Sequence, residues 1–129
     1  MQIHHIGYLV TNIKASMEVF INIGYKIKKE IVYDSDREVD ICFLENDGIL
    51  VELVSPRKSS TKFNSLKKRV GNAPYHICYI ANDFFSDIGK LERNGYSIII
   101  PPAKADAIEG RKVAFLYHQE IGLIEVLER

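Results

Sequence analysis

The sequence has no excess charge of either sign: Lys plus Arg number 17 and Asp plus Glu number 17, so the formal net charge is zero. A neutral balance gives no global pull toward nucleic acid or an anionic membrane surface, and the expected partners are small molecules or other subunits. Cysteine is scarce. Cys42 and Cys78 are the only two, each inside an apolar run, which speaks against a disulfide framework and for a reduced, cytoplasmic protein. No basic and apolar leader of the secretory kind opens the chain. Long apolar runs are missing as well: stretches such as Ile98 to Pro102 fall far below the ~20 residues that cross a bilayer. At 129 residues the chain is expected to form one domain, 1–129, burying roughly two thirds of the surface its unfolded form exposes.

What is present is a repeat. Shifted by 71 positions, His5-Ile6-Gly7-Tyr8 falls on His76-Ile77-Cys78-Tyr79, Asn12 on Asp83, Ile13 on Phe84, Met17 on Ile88, Phe20 on Leu91, and Gly24-Tyr25 on Gly95-Tyr96. Asn12 and Asp83 suit helix N-caps, the apolar matches recur at helical spacing, and Gly24 and Gly95 suit the left-handed residue that ends a helix. Phe43-Leu44 then matches Phe115-Leu116 at a shift of 72, and Val51-Glu52-Leu53 matches Ile124-Glu125-Val126 at 73. With turns near Asn46-Asp47-Gly48 and Glu120-Ile121-Gly122, each half reads as βαβββ. The expected fold is α+β: two tandem βαβββ modules, about 1–56 and 74–129, forming a curved, cup-shaped mixed sheet with helices outside. A connector, about 57–73, carries a short helix with Phe63, Leu66 and Val70 on one face, and the irregular stretch from Pro101 to Gly110 has the length of a lid.

Strand alternation decides which side chains share a face. Ile6, Tyr8 and Val10 suit the helix-covered face of the first strand and leave His5 and Gly7 opposite; Ile49, Val51 and Leu53 leave Glu52 opposite. The second half repeats this, with Ile77 and Tyr79, then Ile124 and Val126, leaving His76 and Glu125. Each half therefore presents one histidine and one glutamate on the same side, and a pseudo-twofold axis would let His5, Glu52, His76 and Glu125 converge on one divalent ion: zinc, nickel, cobalt or manganese. Taken singly, each is better read as a strand-end histidine or a solvated charge; the fourfold correspondence reverses that and favours the metal. Lone carboxylates inside Leu50 to Val54 and Leu123 to Leu127 would be costly to bury without a compensating cation.

These residues resemble the vicinal oxygen chelate superfamily over essentially the whole chain. Within it the likeness is nearest the methylmalonyl-CoA epimerase branch: His4 to Val10 resembles the opening strand, Val51-Glu52-Leu53-Val54-Ser55-Pro56 the first metal-glutamate strand, Pro74 to Tyr79 the second histidine segment, and Gly110 to Glu128 the closing hairpin. The resemblance implies a metal-dependent isomerase or lyase that removes and returns a proton beside a thioester carbonyl, with an acyl-CoA or related thioester as substrate and a homodimeric assembly. It offers Glu52 or Glu125 as a base that leaves the metal. It also offers a carboxylate near Asp36, since Asp36, Glu38 and Asp40 share a face by alternation; a solvated edge explains that run equally. The alternatives are a glyoxalase I type lyase, against which Leu9 stands where that enzyme has an arginine, and a ligand-binding resistance protein of the same fold. From Leu53 to Asn82 there is no acid but six bases, Arg57, Lys58, Lys62, Lys67, Lys68 and Arg69, which suits a solvated connector helix or a surface for coenzyme A phosphates.

Overall fold

A computed structural model describes residues 1–129, and its elements run β1 (Gln2–Leu9), α1 (Ile13–Asn22), β2 (Lys26–Asp34), β3 (Val39–Asn46), β4 (Ile49–Pro56), α2 (Thr61–Val70), β5 (Ala73–Ile80), α3 (Phe84–Arg93), β6 (Ser97–Ala105), β7 (Arg111–His118) and β8 (Gly122–Leu127). The protein is α+β, and the βαβββ plan occurs twice. Two compact units divide it, one of His5–Tyr75 and one of Met1–His4 with His76–Arg129, so the connector helix α2 groups with the first module.

In the first unit β1 pairs parallel with β4, β4 antiparallel with β3, and β3 antiparallel with β2. The parallel step is what the intervening helix and hairpins allow, because a parallel neighbour needs a crossover. Asn12 caps α1 by accepting a hydrogen bond from the Ala15 amide at 3.0 Å. Gly24, at φ +108°, turns the chain out of the helix. Ile13 and Met17 of α1 then pack on Val10, Cys42, Leu44, Val51 and Leu53, with Tyr8, Phe20 and Tyr25 at the margin. One face of the sheet is thereby closed by one helix.

The second unit repeats this step for step. β5 pairs parallel with β8, β8 with β7, and β7 with β6. Asp83 accepts from the Ser86 amide at 3.0 Å, Gly95 takes φ +92°, and Phe84 and Ile88 pack on Ala81, Ala114, Leu116, Ile124 and Val126.

Three expectations need correction. The stretch 101–110 is no lid: Pro101 and Pro102 lie inside β6, whose two register shifts absorb them, and a single 3-10 turn at Asp106–Ile108 follows, with Ala107 and Ile108 buried. Proline lacks the amide a central strand needs, but an edge strand with bulges tolerates it. On α2, Phe63 is buried against the ring of Tyr75 while Val70 is exposed, so the apolar face is shorter than the spacing suggests. Ile49 and Ile77 have the expected face but are not covered on it, being 51% and 38% exposed.

Candidate metal centre

Register, more than alternation, sets the chemistry of the face away from each helix. Glu52 lies between Gly7 of β1 and Phe43 of β3, and paired residues of neighbouring strands project to the same side. Leu9, Val39, Ile41, Phe43 and Val54 share its face by register and alternation and are all buried, and Glu52 itself is 4% exposed. His5, two residues before Gly7, shares that face at 1% exposure, and its Nε2 lies 3.7 Å from Glu52 Oε1. Phe43 presents its ring edge-to-face to the imidazole, with centroids 5.4 Å apart and planes at 78°.

The second module holds the same set. Glu125 lies between Cys78 and Phe115. His76 Nε2 is 3.2 Å from Glu125 Oε2, both residues are under 5% exposed, and Phe115 meets the His76 ring at 5.1 Å and 87°. Each unit thus carries a buried imidazole–carboxylate pair braced by one phenylalanine. Two donors each ~2.1 Å from a common ion, at cis angles between octahedral and tetrahedral, stand roughly 3.0–3.4 Å apart, so the pairs have near-chelating spacing. Imidazole nitrogen and carboxylate oxygen are also the donor types that first-row divalent ions prefer, and a cation is the compensating charge that a carboxylate among apolar side chains calls for.

The acidic run ahead of β3 is placed differently from expectation. β3 begins at Val39, so Asp36 and Glu38 lie in the turn 35–38, where strand alternation has no hold, and Asp36 is exposed. Asp40 is in the strand, but Phe43 is the residue opposite Glu52, which puts Val39, Ile41 and Phe43 on the Glu52 side and Asp40 on the other. Asp40 instead pairs with Arg57, whose guanidinium lies 3.8 Å from the Tyr33 ring centre. The turn itself is held by buried Asp34, which accepts from the Arg37 amide at 3.0 Å and from its guanidinium at 2.6 Å. Of the six bases in the acid-free run, Arg57 is thus engaged with Asp40, whereas Lys62, Lys68 and Arg69 stand exposed on α2.

His118 packs its ring against Tyr96 at 4.8 Å, and its Nε2 would stand 3.2 Å from a Cβ at Gly95. Its counterpart in the first module is Asn46, whose side chain lies over Gly24. Both close a hairpin onto a helix end, which gives His118 a structural place. Cys42 is fully buried, and desolvation, with smaller contributions from Glu30 and Glu52, pushes its thiol up to about 12. A thiol so protonated is no nucleophile. Sequence reasoning gave no neighbour for Phe43 on β2; register sets Lys29 beside it.

Comparison with known proteins bears on the family and the fold. The mitochondrial methylmalonyl-CoA epimerase of Dictyostelium discoideum is 25% identical over 131 residues, covering 99% of this chain and 78% of that protein. A hypothetical protein from Bacillus halodurans C-125 superposes with a TM-score of 0.86 at 24% identity, over 99% of this chain and 94% of its own. A variant of Streptomyces coelicolor methylmalonyl-CoA epimerase in complex with 2-nitronate-propionyl-CoA gives 0.81 at 19% identity, over 99% and 96%. At these identities the two structures establish a shared fold. The family model for the Glyoxalase/Bleomycin resistance protein/Dioxygenase superfamily matches residues 4–115, and the chain belongs to that superfamily.

Proposed function

We propose that His5, Glu52, His76 and Glu125 hold one divalent cation, and that the protein is a metal-dependent isomerase moving a proton beside a thioester carbonyl. The observation that carries this is the duplication of a buried imidazole–carboxylate pair at 3.7 and 3.2 Å on equivalent strands. Membership of the superfamily and likeness to methylmalonyl-CoA epimerases, one of them in complex with an acyl-CoA analogue, support an acyl-CoA or related thioester as substrate.

When bound, the ion supplies Lewis-acid stabilisation of the charge that develops on the carbonyl oxygen as the α-proton leaves. The chain supplies the rest. His5 and His76 are fixed by the edges of Phe43 and Phe115, so their nitrogens need no reorganisation to coordinate. Glu52 or Glu125 takes the proton and returns it, the role of a carboxylate held beside the reacting carbon. Asp36, exposed in its turn, is the weaker candidate for that role. The apolar residues around both carboxylates exclude water from the pair.

The test is isotopic. Metal-loaded protein in heavy water is expected to place deuterium at the α-carbon of methylmalonyl-CoA, and chelator or Glu125→Ala to abolish it. Absence of exchange with every acyl-CoA supplied would refute the isomerase reading. Tight ligand binding that survives complete metal removal would point to a binding protein instead.

A further inference from the structure

The two modules share one backbone where the first strand of each passes into its helix. Val10 donates to the Val54 carbonyl as Ala81 does to that of Leu127. Asn12 and Asp83 take nearly the same φ and ψ, −123° and 104° against −136° and 109°, and each caps its helix through the third amide beyond it at 3.0 Å. Past the cap the side chains part. In the second module Asp87 folds back on the loop: its Oδ2 accepts from the Asn82 amide at 2.8 Å and the Asp83 amide at 3.2 Å, and its Oδ1 from Lys90 Nζ at 3.0 Å. The repeat puts Ser16 and Val19 at those two positions. A serine hydroxyl ends one bond sooner than an aspartate oxygen, and the Thr11 and Asn12 amides, equivalent to those of Asn82 and Asp83, have no acceptor in the protein.

A cavity of about 330 Å³ opens beside these residues. Thr11, Asn12 and Ser16 form its polar end. Tyr8, Val10, Val19 and Phe20 form an apolar wall, in which the Tyr8 and Phe20 rings meet edge-to-face at 5.2 Å. The size is that of a small-molecule site. Loop amides at a helix N-terminus favour an anion, because their donors stand where the helix dipole leaves partial positive charge. The equivalent residues of the second module hold a carboxylate, which names the anion. No charged side chain lines the cavity, and the apolar wall calls for an uncharged, apolar body behind that one carboxylate.

We propose that this cavity binds a small monocarboxylate with an apolar body, its carboxylate on the Thr11 and Asn12 amides as Asp87 lies on those of Asn82 and Asp83, and its body against Tyr8, Val19 and Phe20. Tyr8 and Val10 pack on the helix side of the first sheet, whereas Gly7 and Glu52 share the other side. The site is therefore separate from the proposed metal centre and stands whether or not an ion binds there.

Benzoate is the probe, and benzamide, of the same shape without the charge, is its control; each is titrated into the protein and followed through the backbone amide signals by nuclear magnetic resonance. Benzoate is expected to shift the Thr11 and Asn12 signals saturably at millimolar concentration, and benzamide to bind at least about tenfold more weakly. Ser16→Asp supplies the carboxylate from within and should weaken benzoate at least about tenfold, while Ser16→Ala should bind it as the parent does. Equal binding of benzoate and benzamide, no saturable shift at Thr11 and Asn12, or undiminished binding by folded Ser16→Asp would overturn the assignment. Should Ser16→Asp fail to fold, the benzoate and benzamide titrations of the parent decide the matter alone.

Discussion

Phe43 stands directly across the β3–β4 ladder from Glu52, and its ring meets His5 edge-to-face at 5.4 Å. One phenylalanine therefore stands beside both members of the first imidazole–carboxylate pair, and Phe115 does the same for His76 and Glu125. Each proposed histidine ligand thus has an aromatic ring packed against it.

Phe43→Leu keeps most of the buried volume and is expected to lower stability by under ~1.5 kcal/mol. Metal affinity should fall severalfold, because the His5 ring loses the edge that orients it. Paired urea unfolding and competition titration with a metal-binding dye separate the two effects; unchanged affinity would mean that the ring only fills space.

Metal removal should destabilise the fold. An ion that binds only the folded state, supplied at a hundred times its dissociation constant, adds about 2.7 kcal/mol. Chelator is expected to lower the thermal midpoint, and zinc, nickel, cobalt or manganese to restore it. Glu52→Ala or Glu125→Ala should lose this response, and elemental analysis should find one divalent ion per chain in the parent and far less in either variant.

Acid sensitivity has a local source in Asp87. Its carboxylate accepts from Lys90 and from the Asp83 and Asn82 amides, and these bonds hold its pKa below the ordinary aspartate value. A group lowered in the folded state stabilises it above the unfolded pKa, about 3.9, and that contribution is lost as pH falls through the folded value. Asp87→Asn should thus have a lower thermal midpoint than the parent at pH 7. The gap should close below pH 4, and a gap independent of pH would exclude this origin.

Cys42 should resist alkylation by iodoacetamide at pH 8 in native protein, since burial raises its thiol to about 12, and should react once the chain is unfolded in urea. Mass spectrometry of the peptide containing Cys42 gives the answer, and rapid native labelling would show that this face of the sheet opens.

Much of this protein is legible from one dimension. The shift of 71 residues, the caps Asn12 and Asp83 and the turn glycines Gly24 and Gly95 depend on chemistry within a few residues, so local sequence determined the elements, their order and the βαβββ duplication. Alternation along single strands likewise assigned His5, Glu52, His76 and Glu125 to the face away from the helices. Tertiary structure decided what depends on pairing between strands. Only the register of β3 against β4 put Phe43 beside Glu52 and turned Asp40 away from it; only the bulges of β2 put Lys29 beside Phe43; only packing made Pro101 and Pro102 part of a strand and seated His118 on Gly95. The physical reason is that a strand has period two, so a shift of one residue exchanges its faces, and register is set by contacts far apart in the chain.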